Sequence, residues 1–165
     1  MDKHYLTPLF APASIAVLAG RADNPEPLTS YAQALHPALR AQRFAGSLQF
    51  VDTHTSGTLA DLAQRKSDLA IIALPPAEVP AALEVAGRIG CRAALVLSSG
   101  MDADQAANLK KIARREGLYL LGPNSLGFQR PHLQLNASAA GPLASDGPLA
   151  LVCQSGALTS SILAW

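Results

Sequence analysis

The sequence predicts a doubly wound α/β fold with a mainly parallel sheet. Short runs that are apolar on both faces recur along the chain, as strands covered by helices on both sides require. The segments between them carry apolar residues at three- to five-residue spacing, the stripe of an amphipathic helix. The two patterns alternate, which is the order of successive βαβ units.

The first strand is expected at Ser14-Ile15-Ala16-Val17-Leu18-Ala19 and the second at Leu48-Gln49-Phe50-Val51-Asp52. Leu69-Ala70-Ile71-Ile72-Ala73-Leu74 is the third and most apolar. Ala93-Ala94-Leu95-Val96-Leu97 is the fourth and Leu118-Tyr119-Leu120-Leu121 the fifth. Helices are expected over Leu28 to Arg43, Val79 to Ile89 and Ala103 to Glu116, with a shorter, weaker stretch over Thr58 to Arg65. Lys110, Lys111, Arg114 and Arg115 fall on the wet side of the third of these helices. Gly122 to Gly147 is rich in Gly, Pro, Ser and Asn, has no period, and reads as an irregular connector. A sixth strand is expected at Leu149-Ala150-Leu151-Val152-Cys153, a turn at Gln154-Ser155-Gly156, and a helix from Ala157 to Trp165. That helix shows no C-terminal cap, so a second domain cut short is the expectation. The domains are therefore drawn at 1–140 and 141–165.

Composition narrows the function. Hydrophobic residues make up 49% and charged residues 15% of 165, the balance of one compact domain and not of a disordered chain. The net charge of +1, without a basic stripe or clustered aromatics, argues against a nucleic-acid partner. Cys91 and Cys153 lie far apart, and His4, His36, His54 and His132 are scattered singly, so neither a disulfide framework nor a metal site is expected. The N-terminus lacks the apolar run of a signal peptide, and no stretch approaches the about 18 apolar residues of a membrane span. The expectation is a cytoplasmic protein with no membrane partner.

In such a sheet a ligand lies beyond the carboxyl ends of the strands. The loops to inspect are Gly20 to Pro27, Thr53 to Gly57, Pro75-Pro76-Ala77, Ser98-Ser99-Gly100-Met101-Asp102 and Gly122 to Gly127. In the first, Gly20, Arg21 and Ala22 are candidate ligand contacts. Pro25 and Pro27 offer no amide, and Asp23 and Glu26 place negative charge near a helix N-terminus, where it favours the helix and opposes a phosphate. Arg21 offsets part of that charge. Asp52 at a strand end suits a ribose hydroxyl, as in dinucleotide sites, but no G-x-G-x-x-G precedes it.

Five stretches, in order, carry a family resemblance. Leu9-Phe10-Ala11-Pro12-Ala13-Ser14-Ile15-Ala16-Val17, Asp68 to Pro75, Ser98-Ser99-Gly100-Met101, Gly122-Pro123-Asn124-Ser125-Leu126-Gly127 with Leu135-Asn136-Ala137-Ser138, and Gln154-Ser155-Gly156-Ala157-Leu158 resemble the Rossmann-like CoA-binding domain of ADP-forming acetate–CoA ligases and succinyl-CoA ligase α subunits. The last stretch resembles the opening of the flavodoxin-like domain that follows it. The same module opens some bacterial protein lysine acetyltransferases and some free-standing CoA-binding proteins.

The resemblance implies coenzyme A or an acyl-CoA as ligand, and ligase or acetyltransferase domains in the same or a partner chain. It implies contacts from Pro75, Ser98, Ser99, Gly100 and Asn124, while the first two loops depart from the family's pattern: Gly20, Arg21 and Ala22 stand in a loop without the family's later glycine, and His54 follows Asp52-Thr53 where the family has Asn-Pro-Lys. Each has a plainer role beside it: His54 as a surface histidine, Ser98 and Ser99 as a helix cap, Pro75 and Pro76 as a strand stop, Asn124 as a loop bridge. Gln154, Ser155 and Gly156 match a turn that holds the phosphate of a phosphohistidine in complete ligases. That histidine lies beyond residue 165 in the family's layout, so no catalytic residue is assigned here. Cys153 precedes a helix, but no neighbouring base marks it as a nucleophile. A regulatory ligand-sensing module of an acetyltransferase, a scaffold that binds nothing, and homo-oligomeric assembly all remain open at this point.

Overall fold

The computed structural model describes residues 4–20, 28–41, 43–51 and 66–165. Among these, five strands form one sheet: β1 (Ser14–Leu18), β2 (Ser47–Phe50), β3 (Leu69–Ile72), β4 (Ala93–Val96) and β5 (Tyr119–Leu121). Their order is β2-β1-β3-β4-β5, and every pairing is parallel. The register aligns Ile15 with Leu69, Leu69 with Ala93 and Ala93 with Tyr119. The doubly wound α/β expectation is met.

Alternation along the strands divides the core. Ala16, Leu18, Ala70, Ile72, Ala94 and Val96 face helices α3 (Val79–Arg88) and α4 (Ala103–Arg115), where Leu83, Ala86, Leu109 and Ile112 complete one cluster. Ile15, Val17, Leu69, Ile71, Ala93 and Leu95 face the other way, onto Leu35 and Leu39 of α2 (Ser30–Arg40) and Leu9 of the short α1 (Thr7–Phe10). Both faces are dry, which is why β3 and β4 read as continuous apolar runs. Each fully buried Leu or Ile here stabilises the fold by roughly 1.5–3 kcal/mol.

The helix boundaries follow local chemistry. Asp102 caps α4 in a reciprocal box: its carboxylate accepts from the Gln105 amide at 2.8 Å, and the Gln105 side chain accepts from the Asp102 amide at 2.9 Å. Arg115 closes the far end of α4 on Glu84 at 2.6 Å and Glu116 at 2.9 Å. The helix expected from Leu28 begins instead at Ser30, because Thr29 caps it.

Two expectations are corrected. The stretch read as an irregular connector contains an antiparallel hairpin, β6 (Gly127–Arg130) with β7 (Leu135–Ser138). Leu135 and Ala137 are fully buried in the cluster of α1 and α2, and Phe10 meets Phe128 edge-on at 5.4 Å. The hairpin closes the second face of the sheet. Its polar residues bond one another: Ser138 Oγ donates to Asn136 Oδ1 at 2.6 Å, and Asn136 Nδ2 donates to the Gly141 carbonyl at 2.8 Å. The sixth strand expected at Leu149 to Cys153 does not form. Leu149 and Val152 are 95% and 97% exposed, and no described strand pairs with this run. The helix after it does form, as α5 (Gly156–Ala164). The stretch expected over Thr58 to Arg65 lies outside the described residues.

Candidate functional site

The order β2-β1-β3 means that the chain leaves β1 toward one edge of the sheet and returns to place β3 on the other side of β1. The crevice between the carboxyl ends of β1 and β3 is thus the switch point, where a ligand binds in open α/β sheets. Gly20 stands on one side of it and Ala73, Leu74 and Pro75 on the other.

Gly20 has a φ of +70°, the left-handed region, and a Cβ there would fall 3.0 Å from Leu28 Cδ2. The position therefore favours glycine for its backbone conformation, and a Cβ would also press on the end of the Leu28 side chain. Thr29 Oγ1 accepts from the Ala32 amide at 3.1 Å and donates to the Ala73 carbonyl at 2.9 Å. One hydroxyl caps α2 and ties it to the end of β3.

A second tie joins the next two loops. Ser98 is 3% exposed. Its Oγ donates to the Leu74 carbonyl at 2.6 Å and accepts from the Leu74 amide at 3.1 Å. Its carbonyl accepts from the Asn124 amide at 2.9 Å. Leu74, Ser98 and Asn124 thereby connect the ends of β3, β4 and β5. Gly122 makes the approach of that last loop to β4 feasible: its φ is +99°, and a Cβ would overlap the Val96 carbonyl.

Among the described residues of this rim, few groups face outward. Pro75, Ser99, Gly100 and Asn124 are exposed, and Pro76 is half-buried. Gly100, at φ +82°, has no atom nearer to a built Cβ than Pro76 Cγ at 3.9 Å. Asn124 has a φ of +58°, so its exposed side chain sits on a left-handed turn.

The structure brings Gly20, Pro75, Ser98, Ser99, Gly100 and Asn124 to the strand-end loops. Ser98 is held inside by its Leu74 bonds, so its hydroxyl shapes the rim from beneath. Arg21, Ala22 and His54 lie outside the described residues. Ser155 caps α5 by accepting from the Leu158 amide at 3.2 Å, and Gln154 is exposed beside it. A Cβ on Gly156 would lie 3.7 Å from Leu126, so the start of α5 neighbours the segment that follows Asn124. Cys153 is exposed, and its sulfur accepts from the Ser155 amide at 3.3 Å. Cys91 is buried, and burial first and Asp68 second push its thiol up to about 12.

Sequence reasoning missed Thr29. A threonine before an apolar-periodic run is a recognisable cap signal, but Leu28 in front of it had been counted into the helix stripe. A groove of about 810 Å³ lies elsewhere, between the C-terminal half of α2 (Pro37, Ala38), Ala41 just after it, and Gly141 to Asp146. It shares no residue with the rim. Among the described residues no group of three or more His, Cys, Asp or Glu could hold a metal, and no helix is long and apolar enough to cross a membrane.

Comparison with known proteins bears on this rim. The CoA binding domain family matches residues 47–131. That span holds the loops after β3, β4 and β5. The acetate–CoA ligase [ADP-forming] of Methanocaldococcus jannaschii is 34% identical over 100 residues, which is 58% of this chain and 14% of that protein. The acetate–CoA ligase [ADP-forming] I of Archaeoglobus fulgidus is 36% identical over 104 residues, 59% of this chain and 15% of that protein. The chain thus spans about a seventh of the length of these relatives. Among solved structures, PH0766 of Pyrococcus horikoshii OT3 superposes with a TM-score of 0.82 at 26% identity, over 96% of this chain and 38% of that one. The dinucleotide forming acetyl-coenzyme A synthetase 1 of Ca. Korarchaeum cryptofilum, in complex with phosphate and ADP, superposes with a TM-score of 0.72 at 22% identity, over 96% and 36% of the two chains, a likeness of fold.

Proposed function

We propose a function on one premise: this chain belongs to the CoA binding domain family, and it is homologous to ADP-forming acetate–CoA ligases. It acts as the module that binds coenzyme A or an acyl-CoA within a longer acyl-CoA ligase-like protein. The observation that carries the reading is the coincidence of the family match with the tied loops after β3, β4 and β5.

The rim fits such a ligand in kind. CoA is long and needs an open edge, and Gly100 keeps a side chain out of it. The start of α2 and Gly20 would lie by the diphosphate, where amides and the helix dipole favour an anion. Pro75 and Pro76 supply flat apolar surface for the adenine. Ser99 and Asn124 offer hydrogen-bonding side chains to the amides of the pantetheine arm. Arg21, Ala22 and His54 are proposed contacts on sequence grounds alone.

No chemical step is assigned to these residues. The domain division at 1–140 and 141–165 is kept as a proposal, with the exposed apolar run from Leu149 and helix α5 as the beginning of a second α/β unit. Gln154, Ser155 and Gly156 would then form its phosphate turn. The ligase context is preferred to an acetyltransferase one because relatives at 34% and 36% identity are acetate–CoA ligases.

The test is thermal unfolding with CoA, acetyl-CoA, NAD and ATP in parallel. A ligand at roughly a hundred times its Kd stabilises the fold by about 2.7 kcal/mol. CoA and acetyl-CoA should raise Tm. No rise with millimolar CoA, or a rise with NAD alone, overturns the proposal.

A further inference from the structure

We propose that the Asp146–Gly147 bond is a site of spontaneous backbone isomerisation, at which Asp146 becomes an isoaspartyl residue just past the hairpin. The inference does not depend on which ligand occupies the rim.

Asp146–Gly147 is the one place in the sequence where an aspartate or asparagine precedes a glycine. Glycine has no Cβ to hinder the approach of its nitrogen to the preceding side chain. The structure adds the geometry. The Gly147 amide donates to Asp146 Oδ1 at 3.1 Å. Oδ1 is bonded to Cγ, so the nitrogen already lies beside the carbon it must attack, the arrangement from which a proximity-driven step starts. Gly147 makes no backbone hydrogen bond among the described residues, and both residues are exposed. A Cβ built on Gly147 would meet no atom within 4 Å, so nothing obstructs closure of a ring.

The other described aspartates are held. Asp68 Oδ2 accepts from the Ala13 amide at 2.7 Å, Asp102 Oδ1 accepts from the Gln105 amide at 2.8 Å, and Asp104 lies inside α4. Around Asp146 the restraint has just ended. Asn136 donates to the Gly141 carbonyl at 2.8 Å, Gln129 donates to the Pro142 carbonyl at 3.0 Å, and the Ala144 amide donates to Gln129 at 2.8 Å. Ser145, Asp146 and Gly147 follow these bonds in an exposed segment outside any helix or strand.

The step needs no reagent but water. The Gly147 nitrogen attacks Cγ of the protonated Asp146 carboxyl. The N–Cγ bond forms, a Cγ–O bond breaks, and the oxygen leaves as water with the acid proton and the amide proton. The five-membered succinimide then takes up water again. Opening at the Cγ carbonyl restores aspartate. Opening at the α-carbonyl leaves Gly147 joined through Cβ and Cγ, which adds one methylene to the backbone and frees the α-carboxylate. That carboxylate is the group that a methyltransferase using S-adenosylmethionine would esterify. The added methylene also displaces the wall that Asp146 gives to the groove along α2, and it redirects the chain toward Leu149 and α5.

The experiment follows the folded full chain over time at neutral pH. Peptide mass spectrometry with electron-transfer fragmentation separates isoaspartate from aspartate at equal mass, and methyl transfer from labelled S-adenosylmethionine gives a second readout. Wild type should accumulate isoaspartate at Asp146 about tenfold faster than at Asp68, Asp102 or Asp104. Gly147→Val places a β-branched side chain beside the nitrogen and should slow the step about tenfold. The φ of Gly147 lies outside the left-handed region, so valine is accommodated, and circular dichroism melts establish that each variant is folded. Asp146→Glu would need a six-membered ring and should give no isomer. Asp146→Asn reaches the same succinimide with loss of ammonia and should yield both aspartate and isoaspartate at this position.

Absence of isoaspartate at Asp146 in folded wild type overturns the proposal. An equal rate in Gly147→Val overturns it as well. A rate in the folded chain about tenfold below that of the same chain in urea overturns the claim that the fold presents this bond for reaction.

Discussion

Replacing Ser98 by alanine removes one oxygen and leaves two backbone groups of Leu74 without their partner. Ser98 Oγ lies 2.6 Å from the Leu74 carbonyl and 3.1 Å from its amide, in a site where both residues are buried. Water has poor access to replace the lost bonds. Each buried group left unpaired costs about 1–3 kcal/mol, so partial relaxation of the loop leaves a net cost of about 3 kcal/mol. For a chain of this size that lowers Tm by roughly 6–12 °C. The assay is a calorimetric melt of Ser98→Ala beside Ser99→Ala. Ser99 is exposed, and its substitution should change stability by no more than about 0.5 kcal/mol. A drop below about 2 °C for Ser98→Ala, or equal drops for the two variants, would refute the claim that Ser98 is the internal tie between β3 and β4.

Three further outcomes follow from the same structure. Gly122→Ala places a methyl on the Val96 carbonyl at a φ of +99° and should cost more than about 3 kcal/mol in urea unfolding, whereas Gly141→Ala, at φ +100° with no atom within 4 Å of a built Cβ, should cost about 1–2 kcal/mol. Leu135→Ala should lose about 2–5 kcal/mol in the same assay, because Leu135 is fully buried, while a residue in a mere connector would lose almost nothing. Iodoacetamide at about pH 8 should label the exposed Cys153 and spare Cys91, as read by peptide mass spectrometry. The Cys91 thiol is pushed from 9.0 to about 12 by burial and by Asp68, so its contribution is fully present below pH 9.0 and is lost as pH rises toward 12. Cys91→Ala should accordingly narrow the stability gap to wild type across that window.

The parts of the fold that the sequence disclosed are those where burial alone decides residue type. β3 and β4 are covered on both faces, so every position from Leu69 to Ile72 and from Ala93 to Val96 had to be apolar. The hairpin escaped notice because two of the four positions of β7 are Asn136 and Ser138. They are buried, yet polar, and they satisfy each other across two residues. No periodicity records such a bond. The run from Leu149 to Cys153 misled for the opposite reason. It has the apolar content of a strand but no described neighbour to pair with, and pairing is not written in local composition. Thr29 was legible as a cap, though not as a bridge, because its second partner is Ala73, far along the chain.

The same distinction governs the candidate site. Ser98 and Ser99 are adjacent and chemically identical, and the sequence could only name both. One hydroxyl is fixed to Leu74 and the other faces outward. On the proposed function, substituting Ser98 should perturb stability and ligand affinity together, since it loosens the loops on which Pro75, Gly100 and Asn124 sit. Substituting Ser99 can perturb affinity alone. The tied loops also bear on affinity directly. A rim whose backbone is already ordered by the Leu74, Ser98 and Asn124 bonds pays less ordering entropy when a ligand arrives. On the proposed function, the backbone tied by the Leu74, Ser98 and Asn124 bonds holds Pro75, Ser99, Gly100 and Asn124 in place for a CoA-type ligand.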